Sequence, residues 1–149
     1  MDDIPRRPVV ATPYRALLTA LEKQIALPNV SPVYYHVLGL GLSLLYLYAQ
    51  TPAQRIWLIV FILMADWLDG ATARRYGRGS RAGYLIDLLT DRISEAFIFA
   101  AAAGTLLGQI CFLLWIVNVA LAFYSVRSNK HTALPIRFAF LLILIIRPG

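Results

Sequence analysis

The chain has 149 residues, 59% of them hydrophobic, and a mean hydropathy of +0.64. These values lie far above those of soluble domains and exclude an ordinary water-soluble globule, while the length favours a single domain over 1–149. Cys111 is the only cysteine, so a disulfide within the chain is excluded. The net charge is +6, but the placement of the basic residues points to a membrane, and no nucleic-acid partner is expected.

The first predicted element is an amphipathic helix over 12–27. Thr12-Pro13 is typical of an N-cap followed by proline at the first helical position, and Pro28-Asn29 ends the segment. Its apolar residues share one helical face: Tyr14, Leu17, Leu18, Leu21 and Ile25. We expect this helix to lie on a membrane surface, with a soluble packing helix as the alternative.

Five apolar segments follow, at roughly 32–49, 56–74, 83–106, 109–127 and 133–147. Each approaches the ~20 residues that a bilayer-crossing helix needs, so the sequence predicts an all-α integral membrane bundle of about five transmembrane helices over 32–147. Basic residues concentrate on alternate sides of these segments, and the opposite side has only Arg55 and Arg147. This positive-inside pattern predicts a multi-pass protein of the cell membrane, with the N-terminus and the 74–81 loop in the cytoplasm.

Four aspartates interrupt the second and third apolar segments. Asp66 and Asp69 are three residues apart, and Asp87 and Asp91 are four apart, so each pair shares one helical face. A basic, glycine-containing turn over 74–81 would fold the two helices antiparallel, which brings Asp66 level with Asp91 and Asp69 level with Asp87. Unpaired carboxylates at that depth are costly, so we expect either protonation or two hard divalent cations, Mg²⁺ or Mn²⁺, between them.

The residues beside the aspartates favour a phosphate-containing substrate. Gly70 and Ala73 leave one helix wall free of bulk, and Arg74 supplies a guanidinium suited to phosphate. Two metal ions with a carboxylate as general base would serve the transfer of a phosphoryl group. The alternative is a structural cluster of buried acids paired with Arg74 and Arg92.

The complete pattern resembles, at all eight of its positions, the signature of the CDP-alcohol phosphotransferase family. It reads Asp66-x2-Asp69-Gly70-x2-Ala73-Arg74-x8-Gly83-x3-Asp87-x3-Asp91. The resemblance implies a membrane transferase of phospholipid biosynthesis, which moves a substituted phosphate group, such as phosphatidyl, from a CDP-linked donor such as CDP-diacylglycerol to an alcohol acceptor and releases CMP.

The resemblance also implies roles for individual residues. Asp91 would be the general base. The ligands of two Mg²⁺ or Mn²⁺ ions would be Asp66, Asp69, Asp87 and Asp91. The CDP group would be bound by Asp66, Gly70, Ala73, Arg74 and Gly83.

Further polar residues occur in the later segments. Charge inside an apolar helix indicates function, so we expect an anion of the acceptor, such as the phosphate of glycerol phosphate or inositol phosphate, to be bound by Arg127, Lys130 and Arg137. For Arg127 and Lys130 the alternative is that they anchor helix ends. Glu95 either touches the site, pairs with Arg92 or reaches water in the cavity. Asn118 either lines the same cavity or hydrogen-bonds to another helix.

The number of predicted spans differs from that of the family. Family members usually have six spans and form homodimers, whereas five spans are predicted here. A homodimer is therefore expected from the resemblance alone. Competing functions are an intramembrane magnesium-dependent prenyltransferase, which would need a second Asp-rich motif, and a small cation transporter, which would not need Gly70, Ala73 and Arg74 at these spacings. The expected partners are the CDP-linked lipid or alcohol, the alcohol acceptor and membrane lipids.

Overall fold

The computed structural model describes residues 20, 22, 24–128 and 132–147. These residues contain five α-helices and no strand, which confirms the all-α prediction for this part of the chain. In chain order the helices are α1 (Val33–Tyr46), α2 (Pro52–Arg75), α3 (Arg81–Ala101), α4 (Leu106–Ser128) and α5 (Ile136–Ile146). Most of the predicted 12–27 surface helix, and Lys130, lie outside the described residues.

The helix α2 begins four residues before its predicted start because a capping box precedes it. The Thr51 hydroxyl accepts a hydrogen bond from the Gln54 backbone N–H at 3.2 Å, and the Gln54 side chain accepts one from the Thr51 N–H at 3.1 Å. Pro52 occupies the first helical position, where its missing N–H costs nothing. The predicted start at 56 missed this pattern.

The helix α3 is shorter than the predicted 83–106 segment. It begins at Arg81, because the Ser80 hydroxyl accepts a hydrogen bond from the Gly83 N–H at 2.9 Å. It ends at Ala101 in a tight turn, where the Thr105 N–H and hydroxyl both donate to the Ala102 carbonyl at 2.9 Å. The chain therefore reverses direction at 102–105 instead of continuing as helix.

The apolar core lies to one side of the four aspartates. In α2 the core residues Ile59 and Ile62 precede the aspartates, and in α3 the core residues Ile98 and Phe99 follow them. Since the two helices run in opposite directions, these residues meet at one end of the hairpin, and the 76–80 loop lies at the other. The rest of the core comes from α1, α4, α5 and the turn after α3: Tyr46, Ala102, Cys111, Ile136, Phe140 and Leu141.

Two of the five helices are long and apolar enough to cross a bilayer unaided, namely α2 and α4. The helices α1 and α5 are apolar but have only 14 and 11 residues. Many large apolar side chains face outwards, among them Trp57, Leu113 and Phe123, which are 60%, 65% and 75% exposed. Such a surface is suited to lipid, whereas the number of spans remains a prediction.

The 76–80 loop is fastened to the segment before α1. Gly77 has a positive φ of 62°, which allows the chain to leave α2 at once. The Tyr76 hydroxyl then donates to the Leu27 carbonyl at 2.7 Å. Arg78 donates to the Val30 carbonyl at 2.6 Å and to the Asn29 side-chain oxygen at 2.7 Å. These bonds hold the start of α1 beside the hairpin.

Gly108 is required by the close approach of the turn before α4. A Cβ at this position would lie 1.9 Å from the Ala102 carbonyl oxygen, which is backbone and cannot turn away. We therefore expect Gly108→Ala to destabilise the fold by about 1–3 kcal/mol through overpacking. The measurement is the thermal unfolding midpoint of the purified chain in detergent.

Gly104→Ala is the matched control, because a Cβ at Gly104 would meet nothing within 4 Å. It should leave the midpoint unchanged. Equal midpoints for both variants would contradict the close approach at Gly108.

Candidate metal centre

The four predicted aspartates converge in a gap between α2 and α3. The helix α1 packs closely against both, while α2 and α3 themselves are not a closely packed pair. On another side of the gap, α5 packs against α2. Asp66 and Asp69 enter the gap from α2, and Asp87 and Asp91 enter it from α3, since the spacings of three and four residues keep each pair on one helical face.

The potential ligand atoms form two groups that share one residue. Oxygen atoms of Asp66, Asp87 and Asp91 lie within 4.8 Å of one another. A nitrogen of His36 and oxygens of Asp69 and Asp87 form a second group within the same limit. Asp87 therefore stands where two cations could share a carboxylate.

The donor chemistry of these groups fits divalent cations. Carboxylate oxygens are the preferred ligands of Mg²⁺, and Mn²⁺ accepts both oxygen and imidazole donors. Asp66, Asp87 and Asp91 are half-buried and Asp69 is buried, so substrate or water could complete a coordination shell at the first three.

His36 was not predicted to belong to this site. Its side chain is only 9% exposed, and Nδ1 lies 2.8 Å from an Asp69 carboxylate oxygen. The helix α1 contains no Asp, Glu, Lys or Arg, and His36 is its one histidine. A single imidazole in an apolar segment was the signal that could have revealed it.

Arg137 enters the same gap from α5. Its guanidinium donates a hydrogen bond to Asp91 and lies 3.5 Å from Asp66, and its Nε lies 3.7 Å from Glu95. The side chain is buried, so these contacts are poorly screened by solvent. The predicted role of Arg137 is to bind the acceptor; in the structure its side chain contacts Asp66, Asp91 and Glu95, and the acceptor role stays a prediction.

A buried polar network lies next to Arg137. Glu95 pairs with Arg92 at 2.9 Å, which is one of the predicted alternatives. Asn118 donates to Glu95 at 3.3 Å and to the Leu134 carbonyl at 3.1 Å, and its oxygen accepts from the Leu134 N–H at 2.8 Å. Asn118 thereby ties α4 to the residues that begin α5, which sets the position of Arg137.

The predicted CDP-binding residues other than Asp66 lie nearer the 76–80 loop. Arg74 forms an ion pair with Glu22, and its guanidinium lies over Gly70, 3.0 Å from where a Gly70 Cβ would be. Ala73 and Gly83 are half-buried, and a Cβ on Gly83 would lie 3.1 Å from the Ser80 hydroxyl. Gly70 therefore leaves room for Arg74 against the helix backbone.

The predicted acceptor residues other than Arg137 are not brought into the gap by any described contact. Arg127 is exposed near the end of α4. Lys130 lies outside the described residues. Their roles stay predictions.

A comparison with protein families matches residues 25–146 to the CDP-alcohol phosphatidyltransferase family. The chain is 34% identical over 91 residues to an uncharacterized protein of Aquifex aeolicus, covering 59% of this chain and 46% of that protein. It is also similar to two proteins named phosphatidylinositol phosphate synthase. That of Mycolicibacterium smegmatis is 38% identical over 53 residues, covering 33% of this chain and 24% of the relative.

The second synthase, from Cutibacterium acnes, is 37% identical over 59 residues, covering 40% of this chain and 28% of that protein. The chain thus spans less than half the length of these curated relatives. No solved structure gives a significant match.

Because Asp87 belongs to both ligand groups, its loss should impair metal binding more than the loss of Asp69. We expect about two Mn²⁺ ions per wild-type chain, about one for Asp69→Asn and weaker binding at both positions for Asp87→Asn. The measurement is a Mn²⁺ titration of the purified chain followed by electron paramagnetic resonance.

Glu22→Gln removes one acidic side chain outside the two groups and serves as the charge control. It should bind Mn²⁺ as the wild type does. Equal stoichiometry and affinity for Asp69→Asn and Asp87→Asn would contradict the shared position of Asp87.

Proposed function

The chain belongs to the CDP-alcohol phosphatidyltransferase family, and from this premise we propose that it transfers a phosphatidyl group from CDP-diacylglycerol to a phosphorylated alcohol, releasing CMP. The observation that carries the proposal is the pair of ligand groups joined at Asp87, built from the aspartates of the family signature. The names of the synthase relatives support an acceptor of the inositol phosphate class.

We place this activity in a multi-pass membrane bundle of about five spans, with its site open to the cytoplasm. The two long apolar helices and the outward-facing apolar side chains support a membrane location. Basic residues of the 74–81 segment border the hairpin on the side away from the core, which supports a cytoplasmic face for that side.

In the proposed reaction the acceptor hydroxyl oxygen attacks the β-phosphorus of the CDP-linked lipid. A new phosphorus–oxygen bond forms, the bond from that phosphorus to the oxygen retained by CMP breaks, and the hydroxyl proton passes to the Asp91 carboxylate. Divalent ions, when bound by the four aspartates, would neutralise charge on the attacking and leaving oxygens. The protein otherwise acts by positioning, since phosphoryl transfer needs little covalent help.

Arg137 connects the acceptor with the proposed base. It donates a hydrogen bond to Asp91 and also lies near Asp66. An acceptor phosphate would compete with these carboxylates for the guanidinium, which suits bidentate contact with phosphate. Drawing Arg137 towards the acceptor would leave the Asp91 oxygen free to take the hydroxyl proton.

The nucleotide would lie along the wall formed by Gly70, Ala73 and Arg74, with Gly83 opposite and Asp66 at its inner end. Arg74 is about half exposed and pairs with Glu22 on the segment before α1. A phosphate of CDP would replace Glu22 as the partner of Arg74. Family membership favours this reaction over the prenyltransferase and cation-transporter alternatives.

Removing the proposed base should stop turnover. We expect Asp91→Asn to lower CMP release by about 10²–10⁴-fold, because the hydroxyl proton then has no carboxylate acceptor. The assay supplies membranes containing the chain with CDP-diacylglycerol, Mg²⁺ or Mn²⁺, and inositol phosphate or glycerol phosphate, and measures CMP.

Asp3→Asn is the control, since it removes a carboxylate outside the eight-position signature. CMP release that persists in Asp91→Asn would reject Asp91 as the base. Wild-type membranes that release no CMP with any alcohol acceptor would reject the proposed function itself.

Arg137 should affect the acceptor more than the donor. We expect Arg137→Lys to raise the KM for inositol phosphate by about tenfold while the KM for CDP-diacylglycerol changes little, because a lysine keeps the charge and loses the planar pair of donors. The measurement is steady-state CMP release with each substrate varied in turn.

Arg55→Lys is the matched control in the first turn of α2, away from the aspartates, and should leave both KM values unchanged. The thermal unfolding midpoint of each variant shows whether the buried network has survived. An unchanged acceptor KM in a folded Arg137→Lys variant would remove Arg137 from the acceptor site.

A further inference from the structure

Besides Arg137 from α5, one further side chain in the gap belongs neither to α2 nor to α3. His36 comes from α1, a helix that contributes nothing to the eight-position signature, which begins at Asp66. Its ring is buried, and it reaches Asp69 and Asp87 from the side of the gap that α1 closes. The arrangement therefore contains an imidazole beside two carboxylates, each from a different helix.

The distances in this group match those between neighbouring ligands of one ion. With metal–ligand bonds of about 2.1 Å, two ligand atoms at a right angle lie about 3.0 Å apart. The His36 Nδ1 and the Asp69 oxygen lie 2.8 Å apart. All three donor atoms of the group fall within 4.8 Å, which is close to the ~4.2 Å separation of ligands on opposite sides of such an ion.

The two groups differ in chemistry although they share Asp87. The group of Asp66, Asp87 and Asp91 offers oxygen alone. The group of His36, Asp69 and Asp87 offers two oxygens and a nitrogen. Mg²⁺ favours oxygen ligands, whereas imidazole suits transition metals.

We propose that His36 is a direct ligand of one of the two ions, and that this makes the His36–Asp69–Asp87 position selective for Mn²⁺ or another divalent transition metal over Mg²⁺. The Asp66–Asp87–Asp91 position then accepts Mg²⁺. The two ions are thus chemically unequal. The inference rests on the proposed function only in assuming that the aspartates hold divalent cations.

An ion pair without metal contact is the competing role for His36. In that role the ring would only hold Asp69 in place, and a glutamine, which can donate the same hydrogen bond, would replace it. A nitrogen ligand and a hydrogen-bond donor therefore differ in whether the ¹⁴N nucleus is coupled to the bound ion.

The test is electron spin-echo envelope modulation of Mn²⁺ bound to the full-length purified chain, in detergent, with any affinity tag removed and in a buffer free of imidazole and amines. We expect the wild type to show the modulation of a directly coordinated ¹⁴N. His36→Gln should lose it, and His131→Gln, which changes the only other histidine, should retain it.

Competition between the ions gives a second readout. Titrating Mg²⁺ against bound Mn²⁺ should show that His36→Gln lowers the preference for Mn²⁺ at one position by about 10–100-fold, with the other position unchanged. The His131→Gln variant should compete as the wild type does. A Mn²⁺ preference that is equal in wild type and His36→Gln would overturn the proposal.

Where His36→Gln fails to fold, the spectrum of His131→Gln decides the main point, because His36 is then the only histidine left. Bound Mn²⁺ without ¹⁴N modulation, or modulation that persists in His36→Gln, rejects His36 as a ligand. If CMP release is then normal, the transferase proposal still stands. If the modulation is present and CMP release is absent, the metal position stands and the transferase proposal falls.

Discussion

The balance of charge in the gap between α2 and α3 is the interaction on which the rest of the structure depends. Five acidic side chains gather there: Asp66, Asp69, Asp87, Asp91 and Glu95. Uncompensated, each buried ion would cost several kcal/mol. Arg92 from α3 and Arg137 from α5 supply the positive charge, and His36 from α1 lies against Asp69. The positions of the short helices α1 and α5 follow from this requirement as much as from apolar packing.

This balance also explains why the hairpin is held open. Carboxylates facing each other directly would repel, so α2 and α3 stay apart while α1 packs against both. On the α5 side, Asn118 fixes the backbone of Leu134 through both its N–H and its carbonyl. The gap is therefore built from all five helices, although the aspartates come from only two of them.

The part of the site that is local in sequence could be predicted, because helical spacing alone decides which residues share a face. The convergence of Asp66, Asp69, Asp87 and Asp91 followed from spacings of three and four residues on either side of a turn. His36 could not be located in the same way, since its approach to Asp69 depends on how α1 packs across the hairpin. Arg137 was recognised as an unusual charge, but its contact with Asp91 depends on the hydrogen bonds that Asn118 makes to Leu134.

The fold, like the site, has features that could be predicted from the sequence and features that could not. Helical class followed from composition, whereas the ends of helices depended on single side chains. Thr51 and Gln54 moved the start of α2, and the Thr105 turn ended α3 before the predicted boundary. Hydropathy averages over many residues and cannot register such individual hydrogen bonds.

The ion pair between Arg74 and Glu22 has a thermodynamic consequence. One guanidinium would serve both an acidic side chain upstream of α1 and, in the proposed function, a nucleotide phosphate. Two anions that exclude each other from one cation are negatively coupled, and such coupling is reciprocal. Any change that strengthens the binding of Glu22 to Arg74 would weaken the binding of the nucleotide phosphate to Arg74 by the same factor. Glu22, which lies far from the aspartates in sequence, would therefore help to set how readily the CDP-linked donor is released.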